Sequence, residues 1–248
     1  MNRRVAVVTG AAQGIGREYA RALAADGMVV VIADINLAKA EETAAMIVEE
    51  GGAASAVSVD VSDAVSAKQL ARMVRERHGA LHVLVNNAAL FQGLRMHTPM
   101  TVDIEYWRRI FTINLDGCLI VTQALVPLML ESGGGCIVNQ SSSGAYMGSG
   151  DAYCVSKLAI NALTIGLAAE LGPQNITVNA IAPGPIPTEA MKGHVSDELL
   201  ETIIGNTPMR RVGSTDDLVH ALRFLTSEHA GWVTGQILTI DGGCIQRL

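Results

Sequence analysis

Short runs of Val, Ile and Ala, apolar at nearly every position, alternate along this chain with longer stretches whose apolar residues recur every three or four positions. The continuous runs are Val5–Thr9, Val29–Asp34, Ala54–Asp60, Val83–Asn86, Cys136–Gln140, Thr177–Ala182 and Gln236–Ile240. A run without alternation suits a strand covered on both faces, as parallel strands are. Between the runs, Ile15–Ala25, Leu37–Glu50, Ala64–His78, Ile104–Leu130 and Ala152–Leu171 carry helical periodicity. Right-handed crossovers turn this alternation into an α/β architecture: one doubly wound parallel sheet of about seven strands with helices on both faces. Ligands of such sheets bind at the carboxyl ends of the strands. The 248 residues fit a single domain, 1–248, with no internal repeat. The segment Gly184–Pro208, with Pro, Gly and scattered Met between the sixth strand and the last helix, reads as a mobile substrate lid.

Composition narrows the function classes. With 49% hydrophobic residues the chain is too apolar to be disordered. A net charge of −6, with no basic cluster larger than Arg108-Arg109 or Arg210-Arg211, leaves no electrostatic footprint for nucleic acid or an anionic membrane. No apolar run reaches the length of a membrane span, and the brief run after Arg3-Arg4 lacks a cleavage site; the expected location is the cytoplasm. The cysteines (118, 136, 154, 244) and six histidines have no metal-ligand spacing, so the cysteines read as small buried side chains and no metal is expected.

Three local patterns carry chemistry. The first strand runs into Gly10-Ala11-Ala12-Gln13-Gly14-Ile15-Gly16, where a helix begins. Glycines permit a tight turn and close approach of a pyrophosphate, which the helix N-terminus attracts. The spacing is Gly-x-x-x-Gly-x-Gly, not the commoner Gly-x-Gly-x-x-Gly, and a tight packing turn is the plainer alternative. Asp34 ends the second strand about 20 residues on, where a carboxylate accepts both adenosine ribose hydroxyls and repels a 2′-phosphate. A helix cap would sit later, at Asn36.

The third pattern is Tyr153 and Lys157, four apart on one helical face. A free phenol titrates near pH ~10. An ammonium roughly 4 Å away at an effective dielectric of about 20 favours phenolate by about 4 kcal/mol, enough to bring the phenol toward pH ~7, where acid–base catalysis works. A surface Tyr beside a solvated Lys would carry the same spacing. Upstream, Cys136–Gln140 leads into Ser141-Ser142-Ser143-Gly144.

Taken together and in order, these motifs resemble the classical short-chain dehydrogenase/reductase (SDR) family over nearly the whole chain. The resemblance implies a Rossmann-type oxidoreductase fold. It also implies a cofactor turn of Gly10, Gln13, Gly14, Ile15 and Gly16, an adenine contact at Asp60-Val61, and a fourth-strand motif at Asn86-Asn87-Ala88. The nicotinamide-side loop would be Pro183-Gly184, Ile186 and Thr188. Asn114, Ser142, Tyr153 and Lys157 match the catalytic tetrad. Counting from the strand selects Ser142, with Ser141 and Ser143 as alternatives. Asn114 would bend its helix and hold a water relay behind Lys157, which would also grip the nicotinamide ribose. Two departures stand out: Ala89 replaces the usual Gly, and the Ser-to-Tyr loop is about two residues short.

The implied activity is NAD(H)-dependent interconversion of a secondary alcohol and a ketone by hydride transfer, with Tyr153 as acid/base. NAD is preferred over NADP because Asp34 is present and neither Gln13 nor Ile35 is basic. The partners implied are a small-molecule alcohol or ketone and further copies of the chain, a tetramer through Trp232–Gly243. Apolar loop residues (Leu90, Phe91, Leu94, Met96, Met191, with Tyr146) favour an apolar substrate, although Arg95, Lys192, Arg210 and Arg211 lie near enough to meet an anion. Relatives acting on carrier-protein thioesters carry cations that residues 130–135 and 172–175 lack. A 3-oxoacyl-thioester reductase is the alternative activity, and a non-catalytic NAD-binding regulator the alternative class.

Overall fold

A computed structural model of the chain describes residues 3–91, 97–189 and 197–245. The apolar runs become β1 (Val5–Thr9), β2 (Val29–Asp34), β3 (Ala53–Ser58), β4 (Val83–Asn86), β5 (Gly135–Gln140), β6 (Ile176–Pro183) and β7 (Ile237–Ile240). All pair in parallel, in the order β3-β2-β1-β4-β5-β6-β7. The chain winds outward from β1 in one direction, then restarts at β4 and winds in the other. The split between β1 and β4 is the switch point at which such sheets open a crevice.

The helices are α1 (Gly14–Ala25), α2 (Leu37–Glu49), α3 (Ala64–His78), α4 (Ile104–Phe111), α5 (Gly117–Glu131), α6 (Ala152–Leu171), α7 (Asp197–Asn206) and α8 (Thr215–Thr226). Because the strands are apolar on both sides, two cores form. Tyr19, Leu23, Ile47 and Leu222 bring α1, α2 and α8 onto one face. Leu70, Leu125, Leu128 and Leu167 bring α3, α5 and α6 onto the other. Local signals place the ends: Asp63 caps α3 by accepting Val65 and Ser66 N–H, Gly79 ends it in the left-handed region at φ 69°, and Ser214 with Asp217 forms a capping box on α8.

Three elements differ from the sequence expectation. The third strand stops at Ser58, so Asp60 and Val61 lie in the loop beyond it. The helix expected over Ile104–Leu130 is interrupted by a π turn at Thr112–Asp116. Asn114 is the physical reason: its carboxamide oxygen accepts Leu90 N–H at 2.7 Å and its nitrogen donates to Ser156 Oγ at 3.2 Å, drawing one extra residue into the turn. Within the expected lid, residues 197–206 form a regular helix, α7. By length and composition alone, the stretches Ile104–Glu131 and Ala152–Gln174 could cross a bilayer, but about half of each is buried within the domain.

Candidate active site

At the carboxyl ends of the strands lies a cleft of about 1160 Å³. Its floor begins at the glycine turn. Gly10 (φ 63°) and Gly14 (φ 57°) adopt left-handed backbone that other residues resist. A Cβ on Gly16 would sit 2.3 Å from Gly10 O and 2.4 Å from Asn87 Nδ2, so only glycine lets α1 start this close to the turn. Asn87 then staples the turn, donating from Nδ2 to Thr9 O and Gly10 O at 3.0 Å each. Thr9 Oγ1 in return accepts Asn87 and Ala88 N–H at 3.1 Å. Gln13 offers α1 no side-chain cap, which leaves the first N–H groups of a 12-residue helix facing the cleft. Among the described residues, only Thr188 comes near the position a Gly14 Cβ would take, at 3.8 Å.

At the end of the cleft beyond the glycine turn, Asp34 is held rigidly: Oδ2 accepts Ala12 N–H at 3.0 Å and Oδ1 accepts Asn36 N–H at 2.9 Å. Asn36, not Asp34, caps α2. Asp60 Oδ1 accepts Ser62 N–H and Oγ–H at 2.9 and 2.6 Å, and Asp60, Val61 and Ser62 line the cleft. The sequence reading missed a cation here. Lys39, on the first turn of α2, donates to Gln13 Oε1 at 3.2 Å and lines the same rim as Asp34 and Ile35.

At the opposite end stand Ser142, Tyr153 and Lys157. The three serines separate by their bonds. Ser141 Oγ is committed to Asn161 Oδ1 at 2.6 Å and Lys157 O at 3.2 Å, whereas Ser142 Oγ accepts only Gly144 N–H among the described residues, at 3.1 Å, and lines the cleft with Tyr153. Ser143 is buried beside them on the cleft wall. The Phe91 ring packs edge-on to Tyr153, centroids 5.2 Å apart. Ser156 Oγ donates to Tyr153 O at 2.7 Å and receives the Asn114 amide, so Asn114 is joined to the Tyr153 helix directly. On the far wall, Gly184 N donates to Ile240 O at 2.9 Å, and a Cβ at Gly184 would meet Asp241 at 2.7 Å; Pro183, Ile186 and Thr188 complete that side.

The electrostatics correct one expectation. Burial pushes the Tyr153 phenol above its usual range, with the nearby Ser142 hydroxyl pulling the other way. Burial also pulls the Lys157 ammonium down to about 8. The i, i+4 argument treated Lys157 as a charge against the phenol oxygen; instead its Nζ donates to Gln140 O at 2.7 Å and lies 5.6 Å from the ring centroid. Desolvation by burial is the largest cause of both shifts. Cys118, Cys136 and Cys154 are also raised, to about 12, 11 and 11, chiefly by burial, so none is a ready thiolate.

Among the expected pocket residues, Leu90 and Phe91 line the cleft, joined by Met147 and by Ile203 of α7. Tyr146 does not line it; its phenol accepts the Asn161 amide at 3.1 Å. Leu94, Arg95, Met96, Met191 and Lys192 lie outside the described residues. Arg108 and Arg109 of α4, which no sequence signal tied to the cleft, also reach its wall. Arg108 pairs with Glu105 at 2.6 Å, and Arg109 has no carboxylate partner among the described residues. The described residues contain no group of three or more His, Cys, Asp or Glu placed to hold a metal.

A family model described as Enoyl-(Acyl carrier protein) reductase matches residues 10–244. An uncharacterized oxidoreductase of Mycobacterium tuberculosis is 46% identical over 244 residues, covering 98% of each chain. The 7alpha-hydroxysteroid dehydrogenase of Escherichia coli K12 is 35% identical over 250 residues, 100% of this chain and 96% of its own. Among solved structures, a 7 alpha-hydroxysteroid dehydrogenase complexed with NADH and 7-oxo glycochenodeoxycholic acid superposes with a TM-score of 0.92 at 35% identity, covering 99% of this chain and 95% of its own.

Proposed function

The chain belongs to the short-chain dehydrogenase/reductase family of oxidoreductases, and on that premise we propose that it interconverts a secondary alcohol and a ketone by hydride transfer with NAD(H). The observation that carries this reading is that Ser142, Tyr153 and the buried Lys157 line one end of the cleft whose other end starts on the glycine turn.

The residues present fit a dinucleotide. Open N–H groups at the start of α1 suit a pyrophosphate, and the fixed Asp34 carboxylate suits ribose hydroxyls. When bound, the cofactor supplies the nicotinamide carbon that takes or gives the hydride and, when oxidised, a positive ring that favours loss of the phenol proton. The rest is the chain's own work. Ser142 orients the substrate oxygen by a hydrogen bond, and Tyr153 takes or gives the hydroxyl proton. Lys157, with one of its three donors on Gln140 O, has two left for the nicotinamide ribose hydroxyls. Asn114 holds the helix bend through which a proton relay behind Lys157 runs. Tyr153 and Lys157 also touch the cofactor, as do Gly10, Gln13, Gly14, Ile15, Gly16, Asp60, Val61, Asn87, Ala88, Pro183, Gly184, Ile186 and Thr188.

NAD is preferred over NADP because Asp34 is pinned by two backbone donors and has no room to turn from a 2′-phosphate; Lys39 moderates that preference. The substrate is a small or medium apolar alcohol, since Leu90, Phe91, Met147 and Ile203 supply its walls, and the similarity to 7alpha-hydroxysteroid dehydrogenases puts cyclic hydroxy compounds first in a screen. One observation favours a second reading, an acyl thioester or other anionic substrate: Arg109 on the cleft wall, which has no carboxylate partner among the described residues. The protein works in the cytoplasm as a homo-oligomer, with the fully exposed Trp232 as a subunit contact.

The test is NAD+ reduction or NADH oxidation measured spectrophotometrically across cyclic and linear secondary alcohols, polyols, hydroxysteroids and an acetoacetyl thioester. Highest kcat/KM on an apolar alcohol or its ketone supports the reading. A thioester preference of tenfold or more overturns it in favour of the second.

A further inference from the structure

Lys157 is 2% exposed, and the only protein hydrogen bond to its ammonium among the described residues is the one to Gln140 O. No carboxylate among the described residues pairs with it. From α5 it faces the neutral, buried Cys118 thiol, and from α6 the protonated Tyr153 ring. A buried ammonium compensated by one carbonyl depends closely on where that carbonyl points. The carbonyl belongs to the last residue of β5, where strand pairing ends and the backbone turns into the serine segment.

The Gln140 side chain is anchored from an unexpected direction. Its Oε1 accepts the hydroxyl of Tyr19 at 3.1 Å. Tyr19 is wholly buried on α1, one turn past Gly16, and burial pushes its phenol well above the usual range, so it acts as a fixed neutral donor. A continuous chain therefore runs from the helix whose N-terminus opens on the cleft, through Tyr19 and Gln140, to the Lys157 ammonium.

We propose that Tyr19 and Gln140 form a buried brace that positions Lys157. The Tyr19 hydroxyl clamps the Gln140 side chain and so fixes the peptide unit whose carbonyl carries the ammonium. Both are positioning residues; their effect reaches the cofactor through Lys157. The inference rests on the reading of Lys157 as a donor to the nicotinamide ribose.

The experiment titrates NADH by fluorescence against the full chain from pH 6.5 to 10 and needs no substrate. In the wild type, affinity falls as pH rises and Lys157 loses its proton. Tyr19→Phe keeps the ring and removes only the hydroxyl. It should move that fall to lower pH by about 0.5–1 unit, the size one weakened hydrogen bond to a charged group produces. Gln140→Met, of similar length without the amide, should give the same displacement, and the double variant no more than either alone, because the two act as one unit. Thermal melts of each variant check that the fold persists. A Tyr19→Phe curve superimposable on wild type, or additive displacements in the double variant, overturns the brace. Lys157→Met separates the two readings. A weak, pH-flat affinity in that variant supports the ribose contact, so a failure of Tyr19→Phe then counts against the brace alone. A wild-type pH response in Lys157→Met overturns the ribose contact and the brace with it.

Discussion

Asp34→Asn is the most quantitative probe of the cofactor end. The substitution removes one charge, keeps one oxygen acceptor for Ala12 or Asn36 N–H, and changes no volume. Two unit charges about 4 Å apart at an effective dielectric of about 20 interact by about 4 kcal/mol, and a phosphate monoester carries roughly −1.5 to −2 near neutral pH. Partial exposure of Asp34 and screening by salt at this open rim reduce the repulsion to about 2–3 kcal/mol. The Lys39 ammonium, hydrogen-bonded to Gln13 on the same rim, offsets part of it. The wild type should therefore bind NADH roughly 30- to 100-fold more tightly than NADPH, and Asp34→Asn should shrink that gap to within a few-fold. Fluorescence titration of both cofactors at fixed ionic strength reads the ratio, and raising the salt should narrow it in the wild type. A wild type that binds NADPH as tightly as NADH, or an Asp34→Asn ratio unchanged from wild type, would refute the reasoning.

Three further outcomes follow from the same geometry. Lys39→Ala should weaken NADPH binding about three- to tenfold while moving NADH by less than twofold, as loss of one partly exposed charge contact would; equal effects on both cofactors in the same titration would contradict that role. Asn114→Ala strips Leu90 N–H of its acceptor and Ser156 of its donor, so kcat should fall about tenfold or more with a loss of about 1–3 kcal/mol in stability; unchanged kcat beside a lowered melting temperature would leave Asn114 a purely structural residue. Lys157→Met should stabilise the apoprotein near pH 7. The folded pKa of about 8 lies below the unfolded value, so the unfolded chain binds more protons in the interval between them and wild-type stability from this group is lost as pH falls through it. The variant escapes that cost, about 1–3 kcal/mol after the loss of the Gln140 contact, and its advantage in urea unfolding should vanish above pH ~10.5.

How far the sequence carries varies with the physics of each feature. The strands were legible because burial on both faces leaves polar residues only at their ends: β1, β2 and β4 begin and end where their apolar runs do. The glycine turn was legible because backbone contacts at Gly10 and Gly16 admit no side chain. Asn114 stood out as a poor helix former in an apolar stretch, and the structure answers with a π turn. What depends on long-range packing was not legible. Tyr19 and Gln140 are 121 residues apart in sequence and meet only once α1 lies on the sheet. The reach of Lys39 to Gln13, and of Arg108 and Arg109 to the cleft, depends on how their helices are placed. The sequence argument for Tyr153 used a distance and omitted desolvation, which spacing cannot report, and so it gave the wrong direction for the unliganded phenol.

The central claim is that Tyr153 is the acid/base group and contributes little to holding the cofactor. Tyr153→Phe tests it with one hydroxyl removed, using the best substrate from the alcohol screen and NADH titration on the same preparation. The account predicts turnover down by about 100-fold or more, with the NADH dissociation constant within about twofold of wild type. Turnover within tenfold of wild type, or a loss of activity that NADH affinity fully explains, would contradict it.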